Sequence, residues 1–329
     1  MATSDVVDSS IPLVDVHRHL DGNIRPELIW SLANKYHLAL PADSLDSLKS
    51  ALIIQDQTPN LLSFLDKLNC GVSVLADAKA CYDVAYDNVM SANKEGITVA
   101  ELRFSPRFMS QTFCLSMHEV TEAVVSGVED ANRDHGSEHR LIGIMSRTFG
   151  TDACFEELAA LLSYKQHLVA IDLAGDEKQF PGHLFVEHFR QVKESGLGVT
   201  VHAGEADGAQ SVWDAIKLLG AQRIGHGVAI AEDESLMDYV GEHNIAIETC
   251  LTSNYQTATW LNYRSHPIRK FLNAGLNVSL NTDDPAISGI TIHDEYQKAR
   301  DLVGLSIQQT KQLQLNGVSQ LFATKKPTE

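Results

Sequence analysis

The chain has 329 residues, 43 of them Asp or Glu and 26 Lys or Arg, giving a formal net charge of −17 at pH 7. That acidic balance argues against nucleic acid and anionic membrane surfaces as partners, since both select basic patches. A hydrophobic share of 44% excludes disorder.

No run of 18 or more apolar residues is present, so no membrane span is expected. The N-terminus MATSDVVDSS lacks the cationic start and apolar core of a secretory signal. Five scattered cysteines (Cys70, Cys81, Cys114, Cys154, Cys250) with no C-x-x-C fit reduced thiols in the cytoplasm. No repeat or low-complexity tract divides the chain, so residues 1–329 read as a single domain behind a short tail over 1–10.

In chain order, short apolar or alternating runs fall at 13–19, 98–106, 141–149, 168–175, 198–205, 223–228, 246–254 and 277–285. Helical patterns lie between them, at 79–94, 116–133, 185–195, 211–219 and 234–242. Eight strands alternating with helices imply parallel βαβ units closing into an α/β (β/α)8 barrel, a TIM barrel, in preference to a doubly wound open sheet. The insert from 26 to 69 reads as extra helices covering the C-terminal mouth, the end that carries the site.

With a two-residue period, Val14 and Val16 share one face of the first strand, and Asp15, His17 and His19 the other. In the fifth strand Thr200 and His202 oppose Val199 and Val201; in the eighth, Ser279, Asn281 and Asp283 oppose Val278 and Leu280. The apolar sets are expected to face the helices, which sends the polar sets toward the barrel axis. Branched apolar residues normally fill that space. His and Asp are costly there unless a metal ion or ligand satisfies them.

The strand ends supply such a constellation. His17 and His19, at i and i+2, point the same way and can chelate one cation. His202 ends the fifth strand, and Gly204 permits a sharp turn that swings Glu205 over the mouth. His226 stands between Gly225 and Gly227, which allow close approach. Asp283 and Asp284 end the eighth strand before Pro285. Three histidines and an aspartate (His17, His19, His202, Asp283) form an N/O donor set suited to zinc with an open position for water. Glu205 is then a proton shuttle, His226 a second polar group beside the nucleophile and Asp284 a group for substrate. His37, His118, His167, His243, His266 and His293 read as surface or capping residues.

The segments HRHLDG, ELRFSP, GIMSRTFG, DLAGDE, VHAGE, IGHG, CLTSN and NTDDP, in this order over about residues 11 to 320, resemble the adenosine deaminase family of the amidohydrolase superfamily. The resemblance implies zinc-dependent hydrolytic deamination of adenosine, and of 2′-deoxyadenosine, in purine salvage, with one zinc per chain and a purine nucleoside as the small-molecule partner. Carried across on those motifs, His17, His19, His202 and Asp283 hold the metal, and Glu205 protonates N1 of the purine. His226 and Asp283 orient the nucleophile. Asp284 accepts a hydrogen bond at N7, the Gly175 N–H meets N3, Asp21 holds a ribose hydroxyl and His19 also borders the substrate. The fourth strand ends Asp172-Leu173-Ala174-Gly175-Asp176, without the lysine of a two-metal relative. The H-x-E…P-C-x-x-C pattern of the unrelated cytidine deaminases is absent.

Overall fold

Eight strands run parallel and pair in chain order: β1 (Val14–His19), β2 (Val99–Phe104), β3 (Arg140–Ser146), β4 (Leu168–Ala174), β5 (Gly198–Ala203), β6 (Arg223–His226), β7 (Ala246–Thr249) and β8 (Val278–Leu280). The sheet closes through two backbone bonds of 2.8 Å: the Asp283 N–H donates to the His17 carbonyl, and the His19 N–H to the Asp283 carbonyl. The expected barrel is therefore present in this computed structural model, which describes residues 6–324. Positions 1–5 of the expected tail, and 325–329, lie outside the described residues.

The last strands are shorter than their apolar runs suggested. Residues after β7 turn into a helix, Leu251–Gln256, because the buried Glu295 carboxylate accepts the Leu251 and Thr252 N–H groups at 2.9 and 3.1 Å. A cap supplied from 44 positions away leaves no local pattern to read.

The insert forms three helices, α1 (Pro26–Tyr36), α2 (Leu45–Leu52) and α3 (Leu61–Val72), before α4 (Ala78–Lys94) returns to β2. The segment between α2 and α3 is tied to the residues that follow β7 and β8. Ile54 N–H donates to the Ile287 carbonyl and Thr58 N–H to the Gln256 carbonyl, each at 2.7 Å, and Gln256 Nε2 donates back to the Ile54 carbonyl at 2.8 Å. This anchoring lays α3 across the strand C-terminal ends. Among the described residues no helix is long and apolar enough to cross a membrane.

The barrel interior is charged. Arg103 bridges Asp172 at 2.8 Å and Glu248 at 2.9 Å, Arg223 binds Glu101 at 2.6 Å, and the Thr200 hydroxyl donates to Glu248 at 3.0 Å, all buried. These contacts join β2, β4, β5, β6 and β7 across the axis. One face assignment changes. Asp15 does not share the His17 face, because a register shift in β1 between Asp15 and Arg18 interrupts the alternation. Asp15 instead accepts from the Thr282 hydroxyl at 2.5 Å and pairs with Arg18, whose guanidinium reaches Glu95 just past α4 at 2.6 Å.

Removing one partner from a buried ion network leaves the others uncompensated. Arg103→Ala should therefore lower unfolding free energy by about 3–5 kcal/mol, measured by denaturant titration; a loss below 1 kcal/mol would show the network to be incidental.

Candidate active site and metal centre

His17, His19 and His202 present their Nε2 atoms to a common point because acceptors lie at their Nδ1 atoms. His17 Nδ1 lies 2.7 Å from Glu248 Oε2, His202 Nδ1 3.0 Å from Asp172 Oδ2, and His19 Nδ1 3.5 Å from Asp21 Oδ1. An acceptor at Nδ1 fixes the proton there and frees the Nε2 lone pair for a metal. Arg103 in turn balances both Glu248 and Asp172.

The separations suit a cation. His17 Nε2 and His19 Nε2 each lie 3.2 Å from Asp283 Oδ1, and His19 Nε2 lies 3.3 Å from His202 Nε2. Ligand atoms ~2.0–2.1 Å from a tetrahedral zinc stand roughly 3.3 Å from one another. His17 Nε2 and Asp283 Oδ1 are buried and have no hydrogen-bond partner, which an ion at this point would remedy. Burial pulls the His202 imidazole down to about 4, so it is neutral and free to ligate. Asp283 and His226 both hold positive φ, 63° and 61°. For non-glycine residues this is strained backbone, which concentrates at functional sites. An added Cβ at Gly225 would come within 3.0 Å of His17 Cε1, so that glycine admits the imidazole.

His226 belongs to the same cluster: ligand atoms of His17, His202, His226 and Asp283 lie within 4.8 Å of one another. Its environment differs, however. Nδ1 lies 3.1 Å from Asn254 Nδ2, a donor, so Nδ1 accepts and Nε2 carries the hydrogen. Nε2 lies 3.7 Å from Glu205 Oε2 and 3.9 Å from Asp283 Oδ2. Burial holds the His226 imidazole well below its ordinary value, hence neutral. His266, read from sequence as a surface or capping residue, is instead 4% exposed and lies 3.2 Å from Asn254 Oδ1.

Glu205 leaves the strand direction at Gly204, whose φ is +65°. The loop is then held by Glu177, whose carboxylate accepts four successive N–H groups, from Gly204, Glu205, Ala206 and Asp207, at 2.5 to 3.2 Å, and the Ser211 hydroxyl as well. Burial first, then the Asp283 and Glu177 charges, push the Glu205 carboxyl well above the carboxylate range. It therefore holds its proton to higher pH than an ordinary carboxyl. Burial and Asp283 raise Asp284 in the same way. Asp284 Oδ1 has no partner, and a Cβ at Gly22 would overlap it at 1.5 Å.

His19, Gly175, His202, Glu205, His226, Asp283 and Asp284 line one pocket, roofed by Leu61, Phe64, Leu65 and Leu68 of α3. Gly175 holds φ +111°, and a Cβ there would lie 2.4 Å from Thr148 Oγ1. Asp21 stands one step back: its Oδ2 accepts the Ser105 N–H at 2.8 Å while Oδ1 faces His19. Sequence reasoning did not single out Glu248, Arg103, Glu177, Asn254 or His266. The Arg of ELRFSP, the acidic pair in DLAGDE and the Asn of CLTSN were the local signals. An apolar roof over a polar, donor-rich floor suits a flat heterocycle.

A closed parallel barrel with a candidate His/Asp metal-binding group at its strand C-terminal ends is the arrangement of a TIM-barrel hydrolase. The family profile described as adenosine deaminase matches residues 12–328, and the chain belongs to the adenosine deaminase family. Adenosine deaminase of Klebsiella pneumoniae is 52% identical over 317 residues, covering 96% of this chain and 95% of that protein. The Aliivibrio fischeri protein of the same name is 54% identical at the same coverage. Among solved structures, the adenine deaminase of Arthrobacter aurescens superposes with a TM-score of 0.88 at 26% identity, covering 95% of this chain and 94% of that one. The Arabidopsis N6-mAMP deaminase, 23% identical with a TM-score of 0.81 and coverages of 95% and 94%, shares the fold.

Proposed function

We propose that this chain deaminates adenosine, and 2′-deoxyadenosine, to the inosine product and ammonia, with one zinc held by His17, His19, His202 and Asp283. The observation that carries the reading is a buried acid, Glu205, whose carboxyl is pushed up, beside three clustered imidazoles: Nε2 of His17 and of His19 lie 3.2 Å from Asp283 Oδ1, and Nε2 of His202 lies 3.3 Å from His19 Nε2. The Nε2 hydrogen of His226 supports leaving it out of the ligand set.

Zinc, when bound, is a Lewis acid that lets water act as hydroxide near neutral pH. Glu205 delivers its proton to N1 of the purine as oxygen adds to C6, which avoids a ring anion. The C6–O bond forms, the C6–N6 bond breaks, and the proton of the added O–H passes to the amino group, which leaves as ammonia and leaves a C6 carbonyl; the other proton of the water returns Glu205 to its acid form. His226 offers its Nε2–H, and Asp283 its second oxygen, to the adding oxygen. Asp284 donates at N7 where the family resemblance suggested that it accepts: a neutral purine has only a lone pair at N7, and the raised Asp284 carboxyl keeps a proton to give. The Gly175 N–H meets N3.

One barrel domain with residues 26–69 roofing the mouth suffices for this chemistry, and five free cysteines fit a cytoplasmic site of action. Purified protein should release ammonia from adenosine, lose that activity on chelation and regain it with zinc. Failure to act on adenosine would overturn the reading.

The adenine deaminase neighbour makes the free base the second reading. Asp21 separates them, being short enough to leave space for a sugar and able to accept from its 5′-hydroxyl. Asp21→Ala should cost about 1–3 kcal/mol in kcat/KM for adenosine and much less for 5′-deoxyadenosine. Equal losses would show that Asp21 acts through His19 Nδ1, and faster turnover of adenine would favour the free base.

A further inference from the structure

The hydrogen bonds behind His226 have a direction fixed at their far end. Ile268 begins the helix Ile268–Asn273, and its N–H donates to His266 Nδ1 at 3.2 Å. A backbone N–H can only donate, so His266 Nδ1 is the acceptor and Nε2 of the neutral ring carries the hydrogen. Burial, which takes His266 down to about 3, keeps the ring neutral. His266 Nε2–H then donates to Asn254 Oδ1 at 3.2 Å, which leaves Asn254 Nδ2 facing His226 Nδ1 at 3.1 Å. The second Asn254 N–H has its own acceptor, Thr259 Oγ1, at 3.2 Å. No member can reverse unless a helix N-terminus gives up its bond.

We infer that Asn254 and His266 are positioning residues that lock His226 in its Nε2–H tautomer. The inference rests on the deamination reading for its consequence, because the tautomer decides what His226 is. With hydrogen on Nε2 the ring is a donor aimed between Glu205 and Asp283 and cannot bind a metal. With hydrogen on Nδ1 it becomes a further nitrogen lone pair among His17, His202 and Asp283, able to take the position that water must occupy. Three site histidines have acceptors at Nδ1 and this one has a donor there, so the partner's identity separates ligand from donor.

The test reads the tautomer first. In zinc-loaded native protein with ¹⁵N-labelled histidine, the long-range ¹⁵N–¹H pattern of His226, assigned with His226→Gln, should show Nε2 protonated and Nδ1 bare. Protonated Nδ1 in the native protein overturns the inference, whatever the variants do. Asn254→Leu, which removes the donor at similar volume, should lose the single-tautomer pattern. Its kcat should fall about 10- to 100-fold, the scale for an outer partner of a metal site, with KM for adenosine within about threefold and zinc still near one per chain. His266→Gln retains an N–H for Asn254 Oδ1 and should lose less kcat than His266→Phe. Unchanged kcat in Asn254→Leu with a mixed tautomer would show that the lock does not matter to turnover. If native protein shows the tautomer yet releases no ammonia from adenosine, the function assignment fails and the hydrogen-bond assignment stands.

Discussion

Glu205→Gln is expected to lower kcat at least ~10²-fold and as much as ~10⁴-fold, the span of general acid–base catalysis. The amide keeps the side-chain shape but has no acidic proton to give N1. Its backbone stays in place, because Glu177 holds the loop through N–H groups and not through the Glu205 carboxyl. Metal content and KM should therefore change little. Burial already disfavours the charged form of this carboxyl, and the amide adds no charge, so the variant should fold normally. Near-native turnover in a correctly folded, metal-loaded variant would remove Glu205 from the mechanism. A variant that loses metal as well would instead place Glu205 among the ligands.

His202→Ala should abolish metal retention and turnover together. In the proposed ligand set the imidazole is the donor that β5 supplies, and its Nε2 stands 3.3 Å from His19 Nε2. Without it the remaining nitrogens come from β1 alone, with Asp283 opposite. Asp172 keeps its Arg103 partner, so the barrel interior is not left with a bare charge. Elemental analysis should find about one zinc per native chain and well under stoichiometric zinc in the variant. Zinc added after chelation should raise the native Tm, because a ligand that binds only the folded state stabilises it; it should leave the variant's unmoved. Two tightly held metals per native chain would refute the single-site assignment.

The sequence by itself determined the eight-strand rhythm, the insert over the mouth, and the group of His19, His202, Glu205, His226, Asp283 and Asp284 that the barrel gathers into one pocket, with His17 buried against Asp283. These are readable because strand periodicity, the i, i+2 histidine pair and the glycines at turns are local properties of the chain. Tertiary structure decided the rest. Whether a histidine is a ligand or a donor depends on what meets its other nitrogen: Glu248 for His17, 231 positions away, and Asn254 for His226. Whether Glu205 and Asp284 hold protons depends on burial and on Asp283. The bulge that turns Asp15 away from His17, and the remote carboxylate that ends β7 early, likewise come from pairing and packing between distant segments. Residue types at spaced positions announce which atoms are available. Proton positions and ligand roles follow from partners and dielectric, and these exist only once the barrel has closed.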